Sequence, residues 1–349
     1  MFKQYTTTIR KIARLTINSR TIWNLPHENP DGDTIGCALA IHHALKSVRR
    51  EVRTFFSEPV PRMYSFLPGA DEIQVTQKLP DKLPDLIFVS DNATFERLGK
   101  PFVDELNRLG VFSVHDPRHQ QGRTTLINID HHRGNEQYGD VNLIVPEAAA
   151  AGEIVFAIFR RLRLPLPPGA ATCLYAAILT DTGKLSYSNT TLTTLEIAAE
   201  LVRRGVVPHT VVEAVYNNQT SGQLRLLGRA LEAFRINDEL GYCYTHVTPE
   251  MRAEFNCSLS DTEYIIDTLK TLEEPKVCFL FKVVDDGLVR VSVRSRNDFD
   301  STRVAEAFGG GGHYAAAGFR FKGTLDEVIA AVEMEMRKLR EDSQERKAG

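Results

Sequence analysis

Short continuous apolar runs alternate with helical patterns through the first two hundred residues of the chain. The runs are bounded by polar residues, which is typical of strands that are buried on both faces of a parallel sheet. They lie over residues 21–26, 52–56, 85–90 and 125–129. Apolar positions at helical spacing cover residues 35–48, 148–162, 170–179 and 192–204. This alternation predicts an α/β domain with a parallel sheet flanked by helices.

The last hundred residues follow a different pattern, which predicts a second, smaller α+β domain. Strands are predicted over 242–247, 277–284, 288–293 and 319–321, with a hairpin turn at Asp285-Asp286-Gly287. Helices are predicted over 261–272, 302–308 and 325–339. The predicted division is a first domain over 1–208, a helical linker over 209–234, a second domain over 235–341 and a charged tail over 342–349.

The composition supports two domains in a chain of 349 residues and excludes several classes of protein. The net charge of −3, from 42 Lys and Arg against 45 Asp and Glu, argues against binding along long nucleic acid by bulk positive charge. It leaves room for a small basic pocket that binds a short phosphate-bearing ligand. No apolar run approaches the length of a membrane span, and no signal peptide is indicated. The five cysteines are scattered without a C-x-x-C pair, so a cytoplasmic setting without disulfides or zinc thiolates is expected.

Four polar clusters in the first domain carry candidate chemistry. They are the segment 27–33 (His-Glu-Asn-Pro-Asp-Gly-Asp), Asp91, the triplet Asp130-His131-His132, and Asp181. At least three of them follow predicted strands, and the carboxyl ends of parallel strands meet in one crevice. We therefore expect clusters that are distant in the sequence to lie together.

Carboxylates and imidazoles together suit a divalent ion such as Mn²⁺. Two divalent ions would balance four aspartates and could hold a phosphate beside an activated water. Each motif also has a plainer interpretation. Pro30-Asp31-Gly32 is ordinary turn chemistry, and Asp91 or Asp181 could cap a helix. Four clusters in one α/β domain favour the metal site over these separate interpretations.

The motifs resemble the four ordered motifs of the DHH phosphoesterase superfamily. The residues that carry the resemblance are His27, Asp31, Asp33, Asp91, Asp130, His131, His132 and Asp181. Flanking residues agree, among them Asn135, Tyr138-Gly139-Asp140 and Glu153. Thr34 and Cys37 depart from the residues frequent in the family and are expected to line the helix and not the metals. Lys184-Leu185 replaces a frequent Arg-Phe pair, which weakens any inference about substrate preference.

The C-terminal segment resembles the DHHA1 domain with its Gly-Gly-Gly-His signature. Arg294-Ser295-Arg296 comes directly after the predicted strand over 288–293. A short predicted helix follows, and then the signature. Consecutive glycines let backbone N–H groups approach an anion closely. The alternative is a flexible glycine turn after a helix. The substrate-binding residues that the resemblance implies are Arg294, Ser295, Arg296, Gly310, Gly311, Gly312 and His313.

The resemblance also implies a role for each residue of the first domain. One Mn²⁺ would be bound by His27, Asp31 and Asp91, and Asp91 would bridge to a second. That second ion would be bound by Asp33, Asp91, His131 and Asp181. Asp130 would orient an imidazole, and His132 would face the substrate phosphate in a cleft between the two domains. Asp91, Asp130, His131 and His132 are the expected catalytic residues, and Mg²⁺ or another divalent ion is an alternative to Mn²⁺.

The function implied is a manganese-dependent phosphodiesterase or phosphatase of the nanoRNase and phosphoadenosine-phosphate phosphatase branch. Its substrates would be short oligoribonucleotides, linear or cyclic dinucleotides (cyclic-di-AMP among them) or adenosine 3′,5′-bisphosphate. No membrane partner is expected, and a homodimer remains open. One alternative is a family II-like inorganic pyrophosphatase, against which the glycine signature argues. The other is a catalytically silent nucleotide-binding sensor, against which the complete ligand set argues.

Overall fold

The computed structural model describes residues 2–120, 124–285, 287–296 and 299–348. Contacts divide the chain into two compact units, Met1–Asn218 and Gln219–Gly349. Each unit has its own sheet and its own hydrophobic core.

The first unit contains a parallel sheet covered by helices. Its strands are β1 (Thr21–Leu25), β2 (Glu51–Phe56), β3 (Gln74–Val75), β4 (Leu86–Ser90), β5 (Thr125–Asp130) and β6 (Val141–Ile144). Its helices are α1 (Thr6–Asn18), α2 (Gly32–Ser47), α3 (Lys100–Arg108), α4 (Ala151–Leu162), α5 (Pro168–Asp181), α6 (Leu192–Arg203) and α7 (Pro208–Tyr216). Short 3₁₀ helices lie at Lys3–Tyr5, Arg62–Tyr64, Ala70–Glu72 and Phe95–Leu98.

The order of the strands in this sheet is β3-β2-β1-β4-β5-β6, and the described pairings are all parallel. The central strands are apolar on both faces, since all five residues of β4 are buried. Two separate cores result. One packs α2, α4 and α5 on one face, and the other packs α3 on the opposite face. The chain order reverses between β1 and β4, which is where an open α/β sheet has its ligand crevice.

The second unit contains a mixed sheet of the order β11-β12-β10-β9-β8-β7. Its strands are β7 (Arg235–Asn237), β8 (Tyr242–Val247), β9 (Val277–Asp285), β10 (Leu288–Ser295), β11 (Gly311–His313) and β12 (Ala316–Lys322). Its helices are α8 (Ser221–Glu232), α9 (Pro249–Glu254), α10 (Glu263–Leu269), α11 (Thr302–Ala307) and α12 (Leu325–Ala348), with a 3₁₀ turn at Ser260–Thr262. Helices α11 and α12 pack on one face of the sheet, and α8 to α10 pack on the other.

The predicted fold class is confirmed, but the sequence analysis missed α1, α3, β3 and β6 in the first unit and β7, α9 and β11 in the second. Helix α1 buries Ile9 and Ile12 while its other face stays polar. Strand β6 has only four residues, which is too short for a clear alternation. The predicted helix over 148–162 begins at Ala151 instead. The reason is tertiary, because the amide groups of Ala151 and Gly152 donate to the carboxylate of Asp33.

The residues of the predicted linker are divided between the two units. Val211 and Val215 of α7 belong to the core of the first unit, whereas Leu226 and Ala230 of α8 belong to a core of the second. Among the described residues, no helix is both long and apolar enough to cross a membrane.

Close packing of α2 against α5 depends on Gly36. A Cβ atom at this position would lie 2.4 Å from the carbonyl oxygen of Cys173 and 2.8 Å from the Cβ of Ala177. We expect Gly36→Ala to lower the free energy of unfolding of the first unit by about 1–3 kcal/mol, because the two helices must move apart. Fluorescence of Trp23, the single tryptophan of the chain, measures this in a urea titration, since Trp23 is buried in β1.

Gly134→Ala is the matched control, because a Cβ atom there would meet nothing within 4 Å. Its urea midpoint should equal that of the unchanged chain. A Gly36→Ala midpoint that also equals it would contradict the packing argument.

Candidate metal centre

The polar clusters of the first unit meet at the carboxyl edge of its sheet. His27 follows β1, Asp91 follows β4 directly, and Asp130 is the last residue of β5. His131 and His132 come next in the chain. Because β1 and β4 are the neighbours at which the strand order reverses, these side chains lie at the crevice that the topology creates.

Asp31 and Asp33 enter the site at the beginning of α2. Asp31 is the N-cap of this helix, and its Oδ1 accepts hydrogen bonds from the amides of Asp33 and Thr34, both at 3.1 Å. The segment therefore does form the polar turn that its sequence indicates, and Asp31 caps the helix that follows. The same turn places Asp33 in the first helical turn, where its side chain is fully buried.

Asp181 reaches the site from a helix and not from a strand, because it is the last residue of α5. Its Oδ2 lies 3.1 Å from Nε2 of His131. A carboxylate at a helix C-terminus opposes the helix dipole, so this position needs a compensating cation. Burial raises the pKa of Asp181 to about 6, against the lowering effect of His131. Neither Asp181 nor Asp91 is the N-cap of a helix, although the sequence allowed that interpretation. Asp91 lies in the loop after β4, with φ 58°.

Three groups of potential metal ligands result, each with atoms within 4.8 Å of one another. One is His27, Asp31 and Asp91, and another is Asp33, His131 and Asp181. The third is Asp91, Asp130, His131 and His132. Asp91 lies among the others, with its carboxylate 3.7 Å from Nε2 of His27 and 3.4 Å from Nε2 of His131. The first group has the three residues of one ligand set that the resemblance implies. The second has three of the four residues of the other set and lacks Asp91. The assignment of ligands to ions stays a prediction.

The backbone sets the orientation of two of these imidazoles. Nδ1 of His27 lies 2.8 Å from the carbonyl oxygen of Glu28, and Nδ1 of His131 lies 3.1 Å from that of Ala148. A carbonyl oxygen can only accept a hydrogen bond, so each Nδ1 carries a proton. Nε2 of each ring then faces the carboxylates and can offer its lone pair to an ion.

His132 is oriented by Asp130, which is fully buried. Oδ1 of Asp130 lies 2.7 Å from Nδ1 of His132 and also accepts the amide of His131 at 2.8 Å. Its Oδ2 accepts from the side-chain amide of Asn135 at 2.6 Å, and Asn135 donates further to Asn128. The described hydrogen bonds of the Asp130 carboxylate thus fix His132 and its loop.

The protein groups described around the cluster offset only part of the negative charge of its carboxylates. Burial raises the pKa of Asp33 well above its usual range, and the charges of Asp91 and Asp181 add to this. The pKa of Asp91 is held well below its usual range, because the neighbouring imidazoles of His131 and His27 outweigh the effect of its burial. The pKa of His131 is raised well above its usual range, because Asp181 and Asp91 outweigh its burial. Without a metal ion, a proton on His131 supplies part of the missing positive charge.

The residues present fit divalent metal ions. Oδ1 of Asp91 is buried and accepts no hydrogen bond from any described residue. Buried polar atoms are rarely left this way unless an ion or water binds them. Carboxylate and imidazole donors without a thiolate suit Mn²⁺ and similar divalent ions.

The sequence analysis named Thr34, Cys37 and Glu153 but missed that these three residues support the cluster. The hydroxyl of Thr34 donates to Oδ2 of Asp91 at 2.9 Å, and the thiol of Cys37 donates to Oδ1 of Asp33 at 3.4 Å. Thr34 and Cys37 do lie on the helix as expected, but they also contact the carboxylates. Glu153 accepts the amide of Ala149 at 3.3 Å and so fixes the loop that holds His131. Cys37 follows Asp33 by four residues, about one turn of a helix, so the sequence alone could have indicated that these two side chains are neighbours.

The second unit places the other predicted residues on and beside β10. Nε of Arg294 lies 3.6 Å from Asp267, and Arg296 donates to the carbonyl oxygen of Leu272. Ser295 points to the opposite face, where its buried hydroxyl donates to the carbonyl oxygens of Phe299 and Tyr314. The side chain of His313 lies outside the described part of the chain, although its backbone is part of β11.

The glycine run has a structural reason at two of its positions. A Cβ atom at Gly310 would lie 2.2 Å from the carbonyl oxygen of Gly318, and one at Gly312 would lie 2.5 Å from that of Ala316. A Cβ atom at Gly311 would meet nothing within 4 Å, and Gly311 is exposed. Close approach of β11 to β12 therefore explains Gly310 and Gly312 but does not explain Gly311.

We expect Thr34→Val to weaken Mn²⁺ binding about tenfold, because valine keeps the shape of threonine but removes the hydrogen bond that orients Asp91. Titration calorimetry of the chelator-treated chain with Mn²⁺ measures this. Thr34→Ser keeps the hydroxyl and should bind as the unchanged chain does. Equal weakening by serine and valine would show that the hydroxyl does not orient Asp91.

Metal binding should also strengthen as the pH rises from about 6 to 8. His131 has a raised pKa and must lose its Nε2 proton to bind an ion, and Asp181 must be ionised, with a pKa of about 6. Both requirements favour binding at higher pH. Calorimetry in two buffers of different ionisation enthalpy counts the protons released. An affinity that is the same at pH 6 and 8, with no proton release, would contradict this assignment.

Comparison with known proteins identifies two domain families in this chain. A family model described as the DHH family, N-terminal domain, matches residues 21–178, and a DHHA1 domain model matches residues 240–338. A bifunctional oligoribonuclease and PAP phosphatase (NrnA) of Thermus thermophilus is 29% identical over 322 residues, which cover 90% of each chain.

Solved structures agree as well. An exopolyphosphatase-related protein of Bacteroides fragilis matches with a TM-score of 0.84 and 25% identity, over 95% of this chain and 96% of that one. RecJ of Thermus thermophilus, solved with Mn²⁺, matches in fold with a TM-score of 0.50 and 15% identity, over 95% of this chain and 54% of that one. The chain belongs to the DHH phosphoesterases that carry a DHHA1 domain, a family of hydrolases that act on phosphoester bonds.

Proposed function

We propose that this chain uses divalent metal ions, Mn²⁺ in the first place, to hydrolyse short nucleotides to mononucleotides. The substrates are short oligoribonucleotides, linear or cyclic dinucleotides, or adenosine 3′,5′-bisphosphate. The observation that carries the proposal is the set of three carboxylates, of Asp33, Asp91 and Asp181, that surround Nε2 of the buried His131 at the strand-order reversal. The Thermus relative, named as an oligoribonuclease and PAP phosphatase, supports the substrate class.

The ligand sets proposed are His27, Asp31 and Asp91 for one ion, and Asp33, Asp91, His131 and Asp181 for the other. When bound, such ions lower the pKa of water and offset negative charge on a phosphoryl group. The protein's own part is to hold Nε2 of His27 and of His131 towards the carboxylates. In the net reaction a water oxygen bonds to phosphorus, the phosphorus–oxygen ester bond breaks, and the leaving oxygen takes a proton.

His132 is the proposed source of that proton. Its Nδ1 is engaged by Asp130, so the ring is fixed with Nε2 on the far side from this carboxylate. From Nε2 it can contact the substrate phosphate and protonate the leaving oxygen. Asp130 acts through His132 as a positioning residue.

The second unit supplies the proposed contacts to the rest of the substrate. Arg294 and Arg296 provide guanidinium groups, and the exposed backbone of Gly311 allows close approach of an anion. Ser295 would contribute by holding the loop that follows β10. His313 belongs to the same proposed set. These residues suit a short substrate, whereas a net charge of −3 does not suit a grip on a long strand.

A substrate panel tests the proposal. Chromatography should show Mn²⁺-dependent release of mononucleotide from a 5′-phosphorylated diribonucleotide, adenosine 3′,5′-bisphosphate or cyclic diadenylate. Asp91→Asn should lower kcat at least about a thousandfold, because it removes a charge from the centre of the cluster. Asp104→Asn is the control, since Asp104 is an exposed carboxylate paired with Lys100, and it should retain full activity.

The same panel, with inorganic pyrophosphate added, separates the alternatives. Hydrolysis of pyrophosphate alone would favour an inorganic pyrophosphatase. Nucleotide binding without any product would favour a sensor. Full activity of Asp91→Asn would contradict the proposed metal centre.

A further inference from the structure

The buried segment 148–152, which leads into α4, holds two of the residues proposed to bind one metal ion. The carbonyl oxygen of Ala148 lies 3.1 Å from Nδ1 of His131. The first two amides of α4 donate to the carboxylate of Asp33, at 2.6 and 2.9 Å. The backbone of this segment therefore determines where Nε2 of His131 and the oxygens of Asp33 lie. We call this ion the second ion, and its proposed ligands are Asp33, Asp91, His131 and Asp181.

Asp181 comes to the same ion from the end of α5, and the turn that follows it is strained. Gly183, Lys184 and Leu185 have φ values of 51°, 62° and 64°, in the left-handed region of the backbone. This region costs free energy for a residue with a Cβ atom, so the turn depends on contacts that hold it. The position of Asp181 is therefore not fixed by α5 alone.

The side-chain amide of Asn189 joins these two parts of the site. Its Nδ2 donates to the carbonyl oxygen of Asp181 at 3.0 Å and to that of Ala149 at 3.1 Å. An amide nitrogen carries two protons, so it can make both bonds at once. Asn189 comes two residues before Thr191, which is the N-cap of α6 and forms a capping box with Thr194. The amide is thus placed by the fixed beginning of a helix.

We propose that Asn189 is a positioning residue that acts on the second ion and not on the first. It ties Asp181 to the segment that holds two other proposed ligands of the second ion. It therefore sets the spacing of three ligands that come from separate parts of the chain. His27 and Asp31, which belong to the first ion alone, have no described hydrogen bond to Asn189 or to the segment 148–152.

This inference rests on the proposed function for the identity of the two ligand sets. A purely structural role for Asn189 would differ in what it predicts. Such a role would lower the free energy of unfolding and would leave the ratio of the two metal affinities unchanged. The residue is exposed, so its replacement leaves no cavity in the core.

The first experiment is titration calorimetry of the chelator-treated full chain with Mn²⁺. Asn189→Leu keeps the approximate size of the side chain and removes both donors. One of the two ions should bind about tenfold more weakly and the other with unchanged affinity, as expected when a residue that orients ligands is lost. Asn217→Leu is the matched control, since Asn217 is exposed and its amide donates to Glu213 of the adjacent helix α7. It should bind both ions as the unchanged chain does.

Removal of a ligand identifies which ion is affected. His27→Ala removes a proposed ligand of the first ion alone, so it should weaken the binding step that Asn189→Leu leaves unchanged. The positioning role is overturned if both variants weaken the same step. Unchanged binding by Asn189→Leu, or equal weakening of both ions, would also overturn it. A urea titration followed by the fluorescence of Trp23 checks that each variant is folded.

The second experiment measures hydrolysis of a 5′-phosphorylated diribonucleotide as the Mn²⁺ concentration is raised. Asn189→Leu should need about ten times more Mn²⁺ for half of its maximal rate, because the second ion binds more weakly. Its kcat at saturating Mn²⁺ should stay within about twofold of that of the unchanged chain, since every ligand remains.

The two experiments separate this inference from the proposed function. If no nucleotide of the panel is hydrolysed but Asn189→Leu weakens the second ion selectively, the proposed function fails and the positioning role stands. If both chains hydrolyse the dinucleotide with the same dependence on Mn²⁺, the positioning role fails and the proposed function stands.

Discussion

Carboxylates buried beside one another are the constraint on which the first unit depends. Asp33 and Asp91 are almost completely removed from water, and Asp181 lies next to them through their shared neighbour His131. Burying like charges together is costly unless they are compensated. The protein compensates in part, with a protonated His131, the hydroxyl of Thr34 and the amides at the beginning of α4. The remainder is what divalent cations are suited to supply.

The groups that form the cluster lie at the ends of strands and helices of the first unit. Parallel strands bring His27, Asp91 and Asp130 to one edge of the sheet. Helix α4 directs its first amides at the carboxylate of Asp33, where the positive end of a helix dipole is favourable. Helix α5 does the opposite with Asp181, which it presents from its negative end. That placement is unfavourable unless a positive charge lies beside the carboxylate.

Charge is distributed in opposite senses in the two units. The first unit concentrates acidic side chains around a small volume, whereas the second unit carries Arg294 in β10 and Arg296 directly after it. The net charge of −3 conceals both features, because they largely cancel in the sum. The proposed hydrolysis of a short phosphate ester would use both features. The acidic cluster would hold metal ions at the bond that breaks, and the arginines would bind the negative charge of the substrate.

The sequence by itself determined the α/β class, the positions of the main strands along the chain and the cluster residues, because each depends on local pattern or on motif spacing. It also led to Asp181, which lies two residues beyond the predicted helix over 170–179. Tertiary structure alone decided that α4 begins at Ala151, that Thr34 bonds to Asp91, and that Arg294 of β10 lies beside Asp267 of α10. Each of these depends on a partner distant in the sequence, and local pattern carries no information about which distant groups packing will bring together.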